Sequence, residues 1–141
     1  MANLTSASPR QFAVNPDFMD YPIGTSKIYE GSAVSDAGSP GAGTNVANTL
    51  VAGENFLGFA DATVDNTSGA SGVTISVATK GYVQLTVTGV TSASLGATVY
   101  ASDGNTFTLT STSNSKIGKV AKIVSGTTVL VAFYGLAVEP E

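Results

Sequence analysis

The sequence contains no cysteine, no histidine and no tryptophan among its 141 residues. Without cysteine, the chain can form neither a disulfide framework nor a thiolate metal site. Without histidine, it lacks the side chain that most often transfers protons near neutral pH and ligates metals. Hydrolysis, metal chemistry and sugar stacking therefore all lose their commonest residues.

Charge is also scarce, since charged residues make up 11% of the chain against roughly 25% in ordinary soluble domains. Ten acidic and six basic residues leave a net charge of −4, which argues against binding to nucleic-acid phosphates. No apolar run reaches the roughly 18 residues of a membrane helix, and no basic-then-apolar signal region opens the chain. We expect neither nucleic acid nor a membrane as a partner.

A chain of this length predicts one domain that buries roughly two-thirds of its unfolded surface. With so few charges, its outside must consist largely of Ser, Thr, Gly and Ala, which lose their water readily against a partner. A partner-binding surface is one interpretation of this composition, and a slightly sticky monomer is the other.

Prolines and glycines divide the chain into an arm and a β-domain. Pro9, Pro16 and Pro22 deny residues 1–24 a long helix, so we predict an extended N-terminal arm. Residues 25–141 form the predicted β-domain, with a first strand at about 26–34 and a Gly/Pro/Ser-rich loop at 35–46.

Alternating apolar residues predict strands in the rest of the chain. Val73, Ile75 and Val77 share one face of a strand, and after Gly81 a second run of Val83, Leu85 and Val87 also shares one face. No long helix is indicated. The predicted fold is all-β, a small antiparallel β-sandwich or barrel with an extended N-terminal arm.

A β-hairpin is the sharpest local prediction, in the stretch "LGATVYASDGNTFTLT" at residues 95–110. Asp103 and Gly104 separate two apolar-rich arms, and this pair suits the positive φ at the centre of a type I′ turn. The prediction therefore places Gly104 in a left-handed conformation.

Candidate catalytic motifs fail on spacing or on missing residues. Gly38 and Gly43 have the separation of a phosphate-binding loop, but Thr44 and Asn45 stand where lysine and serine or threonine belong, and no helix follows. We interpret this segment as a flexible loop.

Serine and lysine recur together, but in segments predicted to be strands or strand connections. Ser113 and Lys116 match the S-x-x-K motif of serine acyltransferases, which requires a helix to bring both side chains onto one face. The adjacent pairs Ser26-Lys27 and Ser115-Lys116 fail for the same reason.

Two carboxylates lie four residues apart, at Asp61 and Asp65. They could act as acid and base or bind calcium together with Asn66. The sequence "DNTSG" is typical of a turn, so solvated turn aspartates are the preferred interpretation. We predict no catalytic residue, no cofactor and no metal.

Three segments resemble the capsid decoration (head cement) proteins of tailed bacteriophages. The segments are "GENFLGFADATVDN", "KGYVQLTVTGV" and "LGATVYASDGNTFTLTSTSNSKIGKV" followed by "GTTVLVAF", and the match covers roughly residues 53–133. The resemblance implies a structural virion protein on the outer surface of the capsid, made in the host cytoplasm, that binds and bridges major capsid subunits. It also implies a homo-oligomer, with a trimer favoured and a dimer possible.

Candidate partner-binding residues come from the arm, which lies outside that match. We expect the arm to be anchored in pockets of a neighbour by Phe12, Phe18 and Tyr21. Burial of the three rings roughly cancels the entropy cost of ordering the arm, so firm attachment also needs backbone hydrogen bonds to a partner. The alternative is an arm that folds back over its own domain. At the level of function, the alternative is a receptor- or glycan-binding β-module of a phage fibre or surface appendage.

Overall fold

The computed structural model describes residues 3–10, 17–39 and 42–135, and within these ranges it contains strands and turns but no α-helix. Accordingly, no described segment forms a helix long and apolar enough to cross a membrane. The strands, in chain order, are β1 Asp17–Pro22, β2 Lys27–Ile28, β3 Ala33–Ser39, β4 Ala42–Thr49, β5 Asn55–Ala60, β6 Val64–Asp65, β7 Thr74–Thr88, β8 Thr98–Asp103, β9 Thr106–Thr108, β10 Ser115–Ser125 and β11 Thr128–Tyr134.

Five of these strands close into a barrel in the order β7, β11, β10, β8, β9 and back to β7. All neighbours are antiparallel except β7 and β9, which pair in parallel through Val87 with Phe107 and Thr88 with Thr108. The all-β prediction is confirmed, and of its two forms the chain adopts a closed barrel.

The sheet continues from the first half of β7 into four further strands, β1, β5, β3 and β4. This half pairs with β1 on one side and β5 on the other, and β3 and β4 follow β5. A single parallel bridge between Ile23 and Ala47 brings the two ends of this second group together. The short strands β2 and β6 form a separate two-stranded sheet.

Two hydrophobic clusters fill these two groups of strands. The barrel core lies inside the closed barrel, and its buried members are Ala33, Leu50, Phe56, Phe59, Ala78, Val83, Leu85, Val87, Val90, Val99, Ala101, Phe107, Ile117, Val120, Val129, Val131 and Phe133. The N-terminal core lies inside the second group, and its buried members are Tyr21, Ile23, Ile28, Val34, Ala47, Leu57, Ala60, Ile75 and Val77.

Strand β7 serves both cores because it runs without interruption through Gly81. Ile75 and Val77 are buried in the N-terminal core, whereas Val83 and Leu85 are buried in the barrel core. Each predicted run therefore does place its apolar residues on one face, but the two runs belong to one strand of 15 residues.

Strand β5 separates the two cores, and Gly58 makes this possible. The pairing of β5 with β3 shifts next to Gly58, so Phe56 and Phe59 enter the barrel core while Leu57 enters the N-terminal core. Gly58 has φ +150°, and a Cβ there would lie 2.0 Å from the carbonyl oxygen of Ala78. Only glycine permits this approach of β5 to β7.

The predicted Gly/Pro/Ser-rich loop at 35–46 is instead largely a β-hairpin, formed by β3 and β4 around residues 40–41, which lie outside the described ranges. The buried carboxylate of Asp36 accepts hydrogen bonds from the backbone N–H groups of Thr44 and Asn45, both at 2.7 Å. Asn45 has φ +59°, so this carboxylate supports a bulged strand that the local sequence disfavours.

The predicted hairpin at 95–110 is present as β8 and β9, but its turn differs from the prediction. Asp103 pairs with Thr106, which leaves Gly104 and Asn105 as the connecting residues. Gly104 does not have a positive φ. Glycine is needed because a Cβ would lie 2.5 Å from Oγ of Ser32 and 2.7 Å from Cγ2 of Thr49.

The predicted N-terminal arm lies against its own domain wherever it is described. Residues 17–22 are β1, and the backbone N–H of Ile23 continues the pairing by donating to Val73. Earlier in the chain, Oδ1 of Asn3 accepts the N–H of Gly104 at 2.7 Å. The described residues of the arm are therefore packed against the β-domain.

Arg10 fixes the earlier part of the arm over one end of the barrel. Its Nε donates to the carbonyl of Gly31 at 2.6 Å and its Nη2 to Oδ1 of Asn105 at 2.7 Å. The guanidinium lies 5.4 Å from the ring centre of Phe107 and 5.9 Å from that of Phe59, within cation–π distance. Partial burial lowers the pKa of Arg10.

Candidate partner-binding surfaces

The three aromatic residues predicted as partner anchors have different positions. Phe12 lies outside the described residues. Phe18 is 49% exposed on β1, so its ring is available to a partner. Tyr21 is 8% exposed and belongs to the N-terminal core of its own chain.

Tyr21 is buried within its own chain, whereas the sequence predicts that it enters a pocket of a neighbouring protein. Its hydroxyl is buried and has no hydrogen-bond partner among the described residues. Burial, followed by the negative charge of Asp36, raises the pKa of Tyr21, because both disfavour the phenolate. Tyr21 would have to leave this core before it could enter another protein.

The open edge of β1 is the first candidate surface. β1 pairs with β7 on one side, and no described strand pairs with residues 17–22 on the other side. Phe18 is 49% exposed and Met19 is 45% exposed along this edge. An edge of this kind offers unpaired backbone groups and apolar side chains together.

The serine–lysine candidates do not form a nucleophilic site. Ser113 lies in a turn with φ +61°, while Lys116 is an exposed residue of β10. Ser115 is buried, and its Oγ donates to the carbonyl of Glu54 at 2.6 Å. Ser115 and Lys116 thus lie on opposite faces of β10, as expected for adjacent strand residues.

Of the two aspartates, Asp61 is exposed and Asp65 has a structural role. Asp65 accepts hydrogen bonds from the N–H and hydroxyl of Thr67, and mainly these bonds lower its pKa. Asn66 is buried and uses Nδ2 to donate to the carbonyls of Ile23, Gly24 and Ala70. Within the described ranges, no group of acidic side chains is arranged to hold a metal ion.

The glycine pair that suggested a phosphate loop lies across a hairpin. Gly38 pairs with Gly43 between β3 and β4. The neighbouring N–H groups of Thr44 and Asn45 are already bonded to the carboxylate of Asp36. A phosphate would therefore meet a negative charge in place of free donors.

A second candidate surface, which we call the Lys–Tyr face, covers the outside of β7, β11, β10 and β8. Strand β10 carries Lys116, Lys119 and Lys122, three residues apart and all exposed. Three-residue spacing would alternate faces in a regular strand. Here the register shifts between Lys116 and Gly118 and again between Val120 and Lys122, and these bulges turn all three lysines outward.

Tyrosines lie among these lysines in the adjacent strands. Tyr100 pairs with Lys116 between β8 and β10, and Tyr134 pairs with Lys80 between β11 and β7. The Nζ of Lys116 lies 5.9 Å from the centre of the Tyr134 ring. In the next row, Ala132 pairs with Lys119 on one side and with Tyr82 on the other.

A shallow cleft of about 270 Å³ opens within this face, and its lining includes the short residues Gly81 and Ala132 together with larger side chains. Those larger side chains are Lys80, Tyr82, Lys119 and Tyr134, and Phe133, which is buried in the barrel core, completes the lining. Tyr82 is 43% exposed. The cleft thus combines two tyrosine rings with two ammonium groups.

The charge of the Lys–Tyr face is opposite to that of the whole chain. Four of the six basic residues are on it, while β7, β10 and β11 contain no Asp or Glu. Among the described strands, Asp17 of β1 pairs with Lys80 at one border of the face, and Asp103 lies at the end of β8. Sequence reasoning missed this face because its lysines follow a period of three, which is not a strand period.

The chain matches no protein-family model and no curated protein.

Proposed function

We propose that this chain is a structural virion protein that binds the outer surface of a phage head and stabilises contacts between major capsid subunits. The proposal includes self-association, with a trimer favoured over a dimer, and no enzymatic activity. It extends the resemblance of residues 53–133 to capsid decoration proteins.

The observation that carries the proposal is the open edge of β1. Phe18 and Met19 are about half exposed there, beside backbone groups without a described strand partner. A strand from a capsid subunit could extend the sheet at this edge, and the two side chains would add apolar contact. A homo-oligomer would present several such edges at once, which strengthens attachment through effective concentration.

The compact position of the arm changes how attachment would work. Residues 17–22 are already ordered on β7, so binding at this edge does not have to order a free segment. Phe18 is available without rearrangement, whereas Tyr21 supports the strand from the core side.

The test is co-sedimentation of the purified protein with heads assembled from the major capsid protein of the same genome. Phe18→Ser should weaken binding to the heads by about tenfold, as expected for an interface anchor. Leu95→Ser is the matched control, because Leu95 is 66% exposed in a loop away from β1.

Both variants should keep the melting temperature of the parent, since they replace exposed side chains. If the parent protein does not sediment with heads, the proposed function is wrong. If Phe18→Ser and Leu95→Ser bind as tightly as the parent, the protein can still bind heads but not through β1.

A further inference from the structure

We propose that the Lys–Tyr face binds an acidic polysaccharide, with sugar rings against Tyr82 and Tyr134 and sugar carboxylates at the lysines. This inference does not depend on attachment to a capsid. The isolated protein is expected to bind, and the binding experiment contains no phage component.

The cleft suits a sugar ring because of its shape and lining. The cleft has a volume of about 270 Å³ and is open to solvent along the sheet. Gly81 and Ala132 leave space between the larger side chains that line it. Tyr82 and Tyr134 offer aromatic surface against which the C–H groups of a sugar ring pack. These tyrosines provide aromatic surface in a chain that contains no tryptophan.

The lysines give the site its preference for an acidic ligand. Lys80 and Lys119 line the cleft, and Lys116 and Lys122 extend the positive charge along β10. Strands β7, β10 and β11 contain no acidic residue, and β8 contains Asp103 at its last position, so a sugar carboxylate meets attraction across most of the face.

The spacing of the charges favours a polysaccharide over a nucleic acid. Neighbouring lysines of β10 are three residues apart, or about 10 Å at about 3.3 Å per residue. A polysaccharide with a carboxylate on every second sugar carries sparse charge of this kind, whereas a nucleic acid carries a phosphate at every nucleotide. The face also contains no arginine, the residue best suited to paired hydrogen bonds with phosphate.

The test measures binding of a hyaluronate octasaccharide by calorimetry at low salt and at about 0.5 M NaCl, where screening is strong. We expect binding at low salt that weakens as salt rises. Replacing Lys119 and Lys122 together by glutamine should weaken low-salt binding by about tenfold, the size expected when two exposed ion pairs are lost.

Tyrosine variants separate ring stacking from general electrostatics. Tyr82→Ala should weaken binding by about tenfold, whereas Tyr82→Phe should bind as the parent does because the ring is kept. Lys27→Gln is the matched charge control, since Lys27 is an exposed lysine on β2, outside the face. Melting temperatures of all variants establish that they are folded.

Any of the following results would overturn the inference. One is equal binding of hyaluronate and a neutral maltooctaose, which would remove the role of charge. Another is tighter binding of an oligothymidylate of similar length, which would identify a nucleic-acid surface. The third is no measurable hyaluronate binding by the folded parent, or the same loss from Lys27→Gln as from the paired lysine variant.

Discussion

The barrel core and the N-terminal core share β5 and β7, but they are closed in different ways. The barrel closes through continuous strand pairing, with seven register pairs between β7 and β11 alone. The N-terminal core closes through one bridge between Ile23 and Ala47 and through the three hydrogen bonds of Asn66. The barrel is thus closed by backbone pairing, whereas the N-terminal core is closed by a single bridge and by the hydrogen bonds of a side-chain amide.

The packing of aromatic rings also distinguishes the barrel core from the N-terminal core. In the barrel core, the Phe59 ring lies 5.0 Å from that of Phe133 and 5.5 Å from that of Phe56, both edge-on. In the described part of the chain, the N-terminal core contains one large aromatic ring, Tyr21, whose buried hydroxyl has no hydrogen-bond partner there. We infer that the N-terminal core opens at lower free energy than the barrel.

The largest expected effect concerns the barrel. Phe133→Ala should lower the free energy of unfolding by about 3–5 kcal/mol, because it removes a ring that is 1% exposed and leaves a cavity. Both cores should then unfold in one transition at lower urea concentration, since they share β5 and β7.

Leu95→Ala is the control for this variant and should change stability by less than about 0.5 kcal/mol, because Leu95 is exposed. Urea unfolding followed by circular dichroism measures both. A Phe133→Ala protein as stable as the Leu95→Ala protein would contradict the central role of the ring cluster.

A smaller and more local effect is expected at Asn66. Asn66→Ala removes three hydrogen bonds to the carbonyls of Ile23, Gly24 and Ala70 and should cost about 1–3 kcal/mol. Hydrogen exchange should become faster in β1 while β11 keeps the parental rate, because only the N-terminal core loses its support.

Asn114→Ala is the matched control, since Asn114 makes one exposed hydrogen bond to the carbonyl of Thr110. It should leave exchange in β1 unchanged. Equal acceleration of exchange in β1 and β11 of Asn66→Ala would mean that the two cores open together. The N-terminal core would then not open at lower free energy than the barrel.

The smallest effect is expected at Tyr21. Tyr21→Phe removes an unpaired buried hydroxyl, so at pH 7 the variant should equal the parent or exceed its stability by up to about 1 kcal/mol. The pKa of Tyr21 is raised in the folded state, so the folded protein holds this proton more tightly than the unfolded chain does.

The contribution of Tyr21 to the stability of the folded protein therefore depends on pH. The stabilisation linked to the Tyr21 proton is complete below the ordinary tyrosine pKa of about 10 and is lost as the pH rises above it. Urea unfolding at pH 7 and above pH 10 should therefore show a smaller alkaline loss for Tyr21→Phe than for the parent. Identical losses would contradict the assigned environment of Tyr21.

Local patterns predicted most of the strands that are rich in β-branched and aromatic residues. The apolar alternation from Val73 to Val87 gave the right faces, because a residue period of two is a property of the strand itself. Residues 35–46 were predicted to be a loop because Gly, Pro and Ser dominate them. Pairing on both sides of β3 and the carboxylate of Asp36 outweigh that local preference.

The candidate sites were harder to predict than the fold. The arm contained Phe18, which is exposed, and Tyr21, which is buried, and composition alone does not separate them. Likewise, the pair Asp103-Gly104 predicted a hairpin correctly but not its turn, since the need for glycine comes from Ser32 and Thr49, far away in the chain.

The sequence by itself determined that this protein is built from strands and that it contains no cysteine, histidine or tryptophan. The tertiary structure decided which residues meet at its surfaces. Lys116, Lys119 and Lys122 share one face only because two bulges in β10 change the direction of successive side chains. Bulges arise from the pairing of β10 with β8 and β11, so their effect depends on neighbours distant in sequence as well as on the residues of β10.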